Sequence, residues 1–259
     1  MTQRRFHVAP ADLEDAVEGT AVIRQDEHHH LRKVLRLRPG DAVSVFDGAG
    51  RGFLGKIETI TADETRVRLT ERDERIVEPA FEVVLAQGIP HHDRMDLVIQ
   101  KTTEIGVARI APIIAERTVV RAGSEGEWKR LSRWRRVATE AARQCGRLRV
   151  PAVNEPVSWK EFLEQLPETP DQVRLILDPE GETMSDAGGL VQTASTRSAL
   201  IAVGPEGGWT GREAALGRAR GFLPVVLGPR VLRTETAGIV AVALSLFLAG
   251  EMGTGGAGR

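Results

Sequence analysis

Late in the chain an apolar strand, Leu200-Ile201-Ala202-Val203, runs directly into the loop Gly204-Pro205-Glu206-Gly207-Gly208-Trp209, and the same grammar then returns. Pro224–Leu227 reads as a second strand, Gly228-Pro229-Arg230-Val231-Leu232-Arg233 as its loop, and Thr234-Glu235-Thr236-Ala237 as the opening of a helix. Thr210, with Glu213 three residues on, makes a capping box that starts the helix after the first loop. Strands that end in glycine-rich loops and continue as helices build parallel α/β sheets, which bind ligands at the carboxyl ends of their strands. Glycines there let backbone N–H and C=O groups approach a flat ligand closely. Two such loops side by side make a pocket, and Thr234-Glu235-Thr236 carries more hydroxyl and charge than a tight turn requires.

Upstream, the first third of the chain has a different rhythm. Ala42–Phe46, Phe53–Ile57 and Thr65–Leu69 alternate in polarity and are joined by turns bearing Gly and Asp, which suggests a small barrel or meander. The charged run Glu71–Arg75, closed by Pro79, marks a domain boundary. Beyond it strands are expected at Phe81–Ala86, Ile110–Ile114, Val173–Leu177 and Ala199–Val203. Helices are expected at Asp93–Gly106, Glu127–Gln144, Glu213–Arg220 and Glu235–Ala249.

The formal charge of -1 excludes a globally basic nucleic-acid clamp, yet it hides a local pattern. Between Arg117 and Arg149 stand ten basic residues (Arg117, Arg121, Lys129, Arg130, Arg133, Arg135, Arg136, Arg143, Arg147 and Arg149) against three acidic ones, Glu125, Glu127 and Glu140. Arg32, Lys33, Arg36 and Arg38 follow His28-His29-His30, and Arg4-Arg5 sits near the start. With 30 Arg to 5 Lys, forked donors suited to phosphate dominate, and three patches of this kind are the footprint of a polyanion partner.

Several familiar chemistries lack their parts. Gly50-Arg51-Gly52-Phe53-Leu54-Gly55 fits a dinucleotide fingerprint in letters only, because alternating strand sequence follows where a helix is needed. There is no P-loop and no GxSxG elbow, and the His28–His30 and His91-His92 groups lack partners at metal-ligand spacing, so no metal is expected. The one cysteine, Cys145, fits a reducing compartment. Without an apolar run behind Arg4-Arg5, or one longer than Ala237–Gly250, a cytoplasmic protein that spans no membrane is expected.

The two loop motifs, Gly204–Gly208 and Leu227–Ala237, together resemble the signature of the RsmE family, the 16S ribosomal RNA uridine-N3 methyltransferases of the SPOUT superfamily. Asp93–Asp96 through Lys101–Val107, Arg133-Trp134 through Glu140–Gln144 with Arg147 and Pro151, Arg4–Phe6, and His30-Leu31 to Val34–Arg36 extend the resemblance over nearly the whole chain. One departure is visible: His91-His92 stand where members usually carry Lys-Gly.

The resemblance implies a PUA-like RNA-binding β-barrel domain over 1–77, then an α/β SPOUT domain over 78–259 with a deep C-terminal trefoil knot. It also implies a homodimer packed near the last helix, and methylation of a uridine in the decoding region of the small subunit. S-adenosylmethionine would be held by Leu177, Asp178, Val203, Gly204, Pro205, Glu206, Gly207, Gly208, Leu227, Gly228, Leu232, Thr234, Thr236 and Ala237. RNA would be held by Arg4, Arg5, His30, Lys33, Arg36, Arg94, Arg117, Arg143 and Arg147. N3 of uracil must lose its proton before it attacks, so Arg233 or Arg230 is a candidate to stabilise the anion. Glu206 is a candidate base, or else the anchor of its loop or of the ligand's amine. Two alternatives stand beside this reading. A ribose-methylating SPOUT enzyme is opposed by the Arg233–Ala237 ending and the barrel; a non-catalytic assembly factor is opposed by the intact loop glycines.

Overall fold

The computed structural model describes residues 4–75, 77–118, 125–192 and 195–253. These form two compact units: the chain up to Glu78 together with Thr139–Val150, and Pro79–Ala138 together with the chain from Pro151 onward. Arg121, counted in the basic stretch, lies outside the described residues.

The first unit contains β1 (Arg5–His7), β2 (Thr20–Arg24), β3 (Ala42–Phe46), β4 (Gly52–Ile60) and β5 (Glu64–Arg72), in the sheet order β1-β3-β4-β5-β2. In β5 the buried Thr65, Val67 and Leu69 alternate with exposed Arg66 and Arg68, the pattern of a strand with one dry face. That face joins Phe6, Ile23, Val45 and Phe53 in a single apolar core. A helix, α1 (Gln25–His29), leads into a π-helical turn over His30–Val34 that delivers Leu31 to the same core. His28 is buried by these elements, within hydrogen-bonding distance of Thr65 Oγ1 (2.9 Å) and the Ala62 carbonyl (3.1 Å).

The glycine-rich stretch from Gly50 completes a hairpin turn and enters β4 at Gly52, where a dinucleotide fingerprint would need a helix. Asp47 accepts from the N–H groups of Ala49 (2.8 Å) and Arg51 (3.0 Å) and from the Arg51 guanidinium (2.7 Å). Burial pushes the Asp47 carboxyl up, but these donors outweigh it and hold the group below the usual carboxylate range.

The second unit is an α/β layer structure. Its sheet holds β6 (Glu82–Gly88), β7 (Arg109–Ile114), β8 (Ala152–Val153), β9 (Val157–Ser158), β10 (Gln172–Thr183), β11 (Ser198–Val203) and β12 (Leu223–Val226). The order is β12-β10-β11-β6-β7-β8, with β9 also pairing β7, and every pairing is parallel. The helices are α2 (Arg94–Ile105), α3 (Glu125–Cys145, which runs from this unit into the first), α4 (Trp159–Gln165), α5 (Met184–Val191), α6 (Gly211–Ala219) and α7 (Thr234–Leu248). The last of these packs on α2, β6 and β11.

Most expected elements stand within a few residues of their expected bounds. The exception is β10, which continues beyond Leu177 to Thr183. Leu177 and Glu182 both pair with Val225, so Asp178–Gly181 leave the ladder as a bulge before the strand resumes.

A buried aromatic group pins the helices to this sheet. Trp159 is 2% exposed, its ring centroid 4.6 Å from Trp209, 5.4 Å from Phe222 and 5.7 Å from Phe162, and its indole N–H donates to the Glu213 carbonyl at 3.0 Å. Trp159→Ala is expected to cost about 3–5 kcal/mol of stability through the cavity it leaves. Urea unfolding followed by circular dichroism measures this, and a cost below about 1 kcal/mol would show that the cluster is dispensable.

Candidate functional site

The loop after β11 and the end of the loop after β12 open on one cavity of about 690 Å³. Its walls are Leu177–Glu180 from the β10 bulge, Val203–Gly211 after β11, and Val231–Thr234 with Ala237 at the start of α7. A smaller cavity of about 260 Å³ adjoins it, lined by Val225–Leu232 and sharing Leu177–Pro179, Val231, Leu232 and Ala237.

Each wall is fixed by identifiable bonds. The capping box expected at Thr210 is present: its hydroxyl accepts from Glu213 N–H (3.2 Å), and Glu213 accepts from Thr210 N–H (2.9 Å). The other oxygen of Glu213 accepts from Glu116 N–H at 2.9 Å, which ties the end of β7 to α6. The next residue, Arg117, donates to the Gly207 carbonyl at 2.7 Å and so latches the first loop. Gly208 turns that loop back at φ +66°, a conformation that costs other residues about 1–2 kcal/mol.

Thr234 joins three segments. Its hydroxyl donates to the Gly204 carbonyl and accepts from the Gln87 amide at 2.9 Å. Gln87 is fully buried, and the same amide nitrogen donates to the Gly88 carbonyl at 3.1 Å. A methyl group on Gly238 would stand 2.3 Å from the Gln87 carbonyl oxygen, so only glycine leaves α7 this close to β6.

Charge at the rim is arranged in linked pairs. Asp178 lies 3.3 Å from Arg218 and accepts from Glu180 N–H at 3.0 Å. Glu206 accepts from His91 N–H at 2.9 Å and lies 3.7 Å from Arg94, whose same nitrogen is 3.6 Å from Glu235. His92 holds φ +58°, so the departure from Lys-Gly places a bulky residue where glycine is the unstrained choice.

Against the sequence expectations, Leu177, Asp178, Val203–Gly208, Leu232, Thr234 and Ala237 meet at the larger cavity, and Leu227 and Gly228 line the smaller. Thr236 is exposed and lines neither. Arg233 lines the larger cavity and Arg230 the smaller. Gln87 carries no local signal for a place at the site, and Glu235 only the surplus charge after the second loop, because both act across chain separations that patterning does not reveal.

The expected RNA contacts in the first unit divide into two kinds. Arg4, Lys33 and Arg36 are exposed, and His30 is half-buried. Arg5 instead donates to the carbonyls of Gly146 and Arg147, with its guanidinium 4.8 Å above the Phe46 ring. Arg147 is 6% exposed and holds Glu78 at 2.8 Å, while Arg143 lies between Glu27 (3.9 Å) and Glu140 (3.6 Å). Among the described residues no group of three or more His, Cys, Asp or Glu is placed to hold a metal ion, and no helix is long and apolar enough to cross a membrane.

Comparison with known proteins places this geometry. Residues 77–246 match the model of an RNA methyltransferase domain and residues 23–70 that of an RNA methyltransferase PUA domain. The ribosomal RNA small subunit methyltransferase E of Synechocystis sp. is 32% identical, over 92% of this chain and 76% of that protein. The protein of the same name from Bacillus subtilis is 30% identical over 93% and 94%. The Neisseria gonorrhoeae methyltransferase E, solved with S-adenosylmethionine bound, superposes with a TM-score of 0.84 at 31% identity, covering 95% of this chain and 98% of that one. A Legionella pneumophila methyltransferase, also solved with this cofactor, gives 0.85 at 32% identity, with 95% and 98% covered. With an α/β methyltransferase fold behind an N-terminal PUA-like domain, this chain belongs to the ribosomal RNA small subunit methyltransferase E family.

Proposed function

We propose that the protein methylates N3 of a uridine in 16S ribosomal RNA of the small subunit, with S-adenosylmethionine as donor. The convergence of both glycine-rich loops on one cavity carries this reading, and the cofactor-bound relatives support it. The residues present fit the cofactor. Leu177, Val203, Leu232 and Ala237 offer apolar surface for a purine and thioether, loop backbone offers donors and acceptors, and the carboxylates of Asp178 and Glu206 suit a ligand with two cationic centres. When bound, S-adenosylmethionine supplies a methyl group activated by a sulfonium.

The protein's own task is mainly alignment, which can contribute about 7–11 kcal/mol when two reactants are held in line. The Thr234 bridge and the Arg117 latch keep the loops in one arrangement for that purpose. Of the two candidate cations, Arg233 is favoured over Arg230 for holding a uracil anion, because it lines the larger cavity. Glu206 has one oxygen engaged by His91 N–H and Arg94 beside it, an arrangement suited to anchoring its loop.

We take residues 1–77 as the RNA-binding barrel and 78–259 as the catalytic domain; the two family-model matches support that division. A C-terminal trefoil knot is supported by the path of the chain. It goes from β10 to β11, back past β10 to the edge at β12, and then returns through α7 to β6 and β11. A cytoplasmic setting goes with the exposed Cys145, which is in no disulfide. Exposed Arg4, Lys33 and Arg36 are the phosphate contacts best placed to give salt-dependent affinity.

A homodimer is supported by the outer stripe of α7, where Thr236, Val240, Ala243 and Phe247 recur at helical spacing and Phe247 is 58% exposed. Phe247→Glu is expected to convert the dimer to monomer in analytical ultracentrifugation; an unchanged sedimentation coefficient would move the interface elsewhere.

Two further outcomes test the activity. Small-subunit RNA from cells lacking the protein should lose one N3-methyluridine, mapped by primer extension and mass spectrometry; persistence of every such base would sink the proposed substrate. Arg233→Ala should abolish turnover while calorimetric affinity for S-adenosylmethionine stays within a few-fold. Lost affinity instead would place Arg233 in the pocket wall.

A further inference from the structure

The cluster of Arg94, Glu206 and Glu235 contains more than an ion pair. Glu206 lines the cavity, and Glu235 directly follows Thr234, which also lines it. Arg94 lies between the two carboxylates, 3.7 Å from one and 3.6 Å from the other through the same nitrogen. The two acids are not equivalent. Glu206 is 30% exposed at its side chain and already accepts from His91 N–H. Glu235 is 9% exposed at its side chain, and its Oε2 is buried with no hydrogen-bond partner among the described residues.

An acceptor left unpaired in a dry site costs about 1–3 kcal/mol, and more when the group is charged. A position in the first turn of α7 explains why an acid is favoured there, through the helix dipole. It does not explain why one oxygen has no donor when the Arg94 guanidinium stands beside the other. Glu235 itself lines neither cavity, but it adjoins Thr234, which does, and a donor missing there is what a substrate N–H would provide.

We propose that Glu235 is a catalytic residue: its free oxygen accepts the N3–H of uracil as a hydrogen bond and then takes that proton, with Arg94 as counter-charge. This rests on the methyltransferase reading given above. The N3–H bond breaks, the proton passes to Glu235 Oε2, and the electron pair stays on N3. That pair forms the N3–CH3 bond as the S–CH3 bond breaks, and the pair of the broken bond returns to sulfur as a neutral thioether. Glu235 then releases its proton to solvent, so one proton leaves for each methyl transferred.

The same contact confers base choice. Uracil presents acceptor, donor, acceptor along O2, N3–H and O4, and an acid with Arg94 beside it complements the donor and one acceptor. Cytosine carries a bare N3 lone pair, which would face the Glu235 oxygen acceptor to acceptor.

The test uses full-length protein, S-adenosylmethionine and small-subunit RNA under single-turnover conditions. Glu235→Gln should lower the rate by about 10²–10⁴-fold, the usual range for a lost general base, and abolish the rise of rate with pH expected of wild type. Its melting temperature and cofactor affinity by calorimetry should be unchanged. A Gln variant as fast as wild type, or one whose loss follows lost cofactor affinity, overturns the proposal. Should the Gln variant not fold, Glu235→Asp carries the test, since it keeps a carboxylate beside Arg94. A slowed rate that still rises with pH supports the role, and a wild-type rate at every pH overturns it. If wild-type protein itself places no methyl on uridine N3, the proposed function fails, which is distinct from a failure of Glu235 alone.

Discussion

The second unit depends on one buried hydroxyl. Thr234 bridges the Gly204 carbonyl and the Gln87 amide, groups 30 and 147 residues away along the chain. Without the hydroxyl the Gly204 carbonyl would lose this donor and the Gln87 amide would keep only the Gly88 carbonyl, and buried groups left short of partners are costly. The bond therefore couples the two glycine-rich loops to the central strand β6. Gly238, which leaves space for the Gln87 carbonyl, and Arg117, which holds Gly207, complete the same frame from either side. Loops rich in glycine are entropically costly to order, so their fixed shape has to come from contacts of this kind.

Polar satisfaction elsewhere at the site makes the exceptions informative. Thr210, Glu213, Thr234 and Asp178 all have close partners. Yet Trp209 Nε1, on the cavity wall, and Glu235 Oε2, one residue beyond the cavity-lining Thr234, are buried with no partner among the described residues. An indole donor and a carboxylate left open at and beside a cavity are what a polar occupant would complement.

How much of this the sequence discloses follows from the range of the interactions. Strand-to-loop-to-helix units at Val203 and Leu227 are local, and so were legible along with their pocket. Periodicity likewise placed α2, α3, α6 and α7. Neither α4 nor α5 was expected: α4 is short, although Ser158 and Glu161 form a capping box there, and α5 contains Gly188-Gly189, poor helix formers held by tertiary packing. The β10 bulge was illegible because Asp178-Pro179-Glu180-Gly181 has the composition of a turn that ends a strand. It resumes as a strand only because β12 lies alongside. Gln87 and Glu235 acquire their roles when α7 returns to β6, a property of topology that no local window contains.

The arginine excess sharpens the same point about electrostatics. A run of basic residues looks like one surface in sequence, but burial sorts it. Arg147 is spent on Glu78, Arg133 on Asp96 at 2.6 Å and Arg5 on two carbonyls, where its planar fork satisfies backbone acceptors that lysine could reach only one at a time. Burial lowers the Arg5 guanidinium from its usual value, with the charge of Arg75 adding to that effect. A side chain so enclosed contributes to the fold before it can contribute to a phosphate contact. Exposed Arg4, Lys33 and Arg36 have no such internal claim of comparable depth, so charge on this chain has to be assigned residue by residue, from burial and bonding partners, before it is read as a surface for RNA.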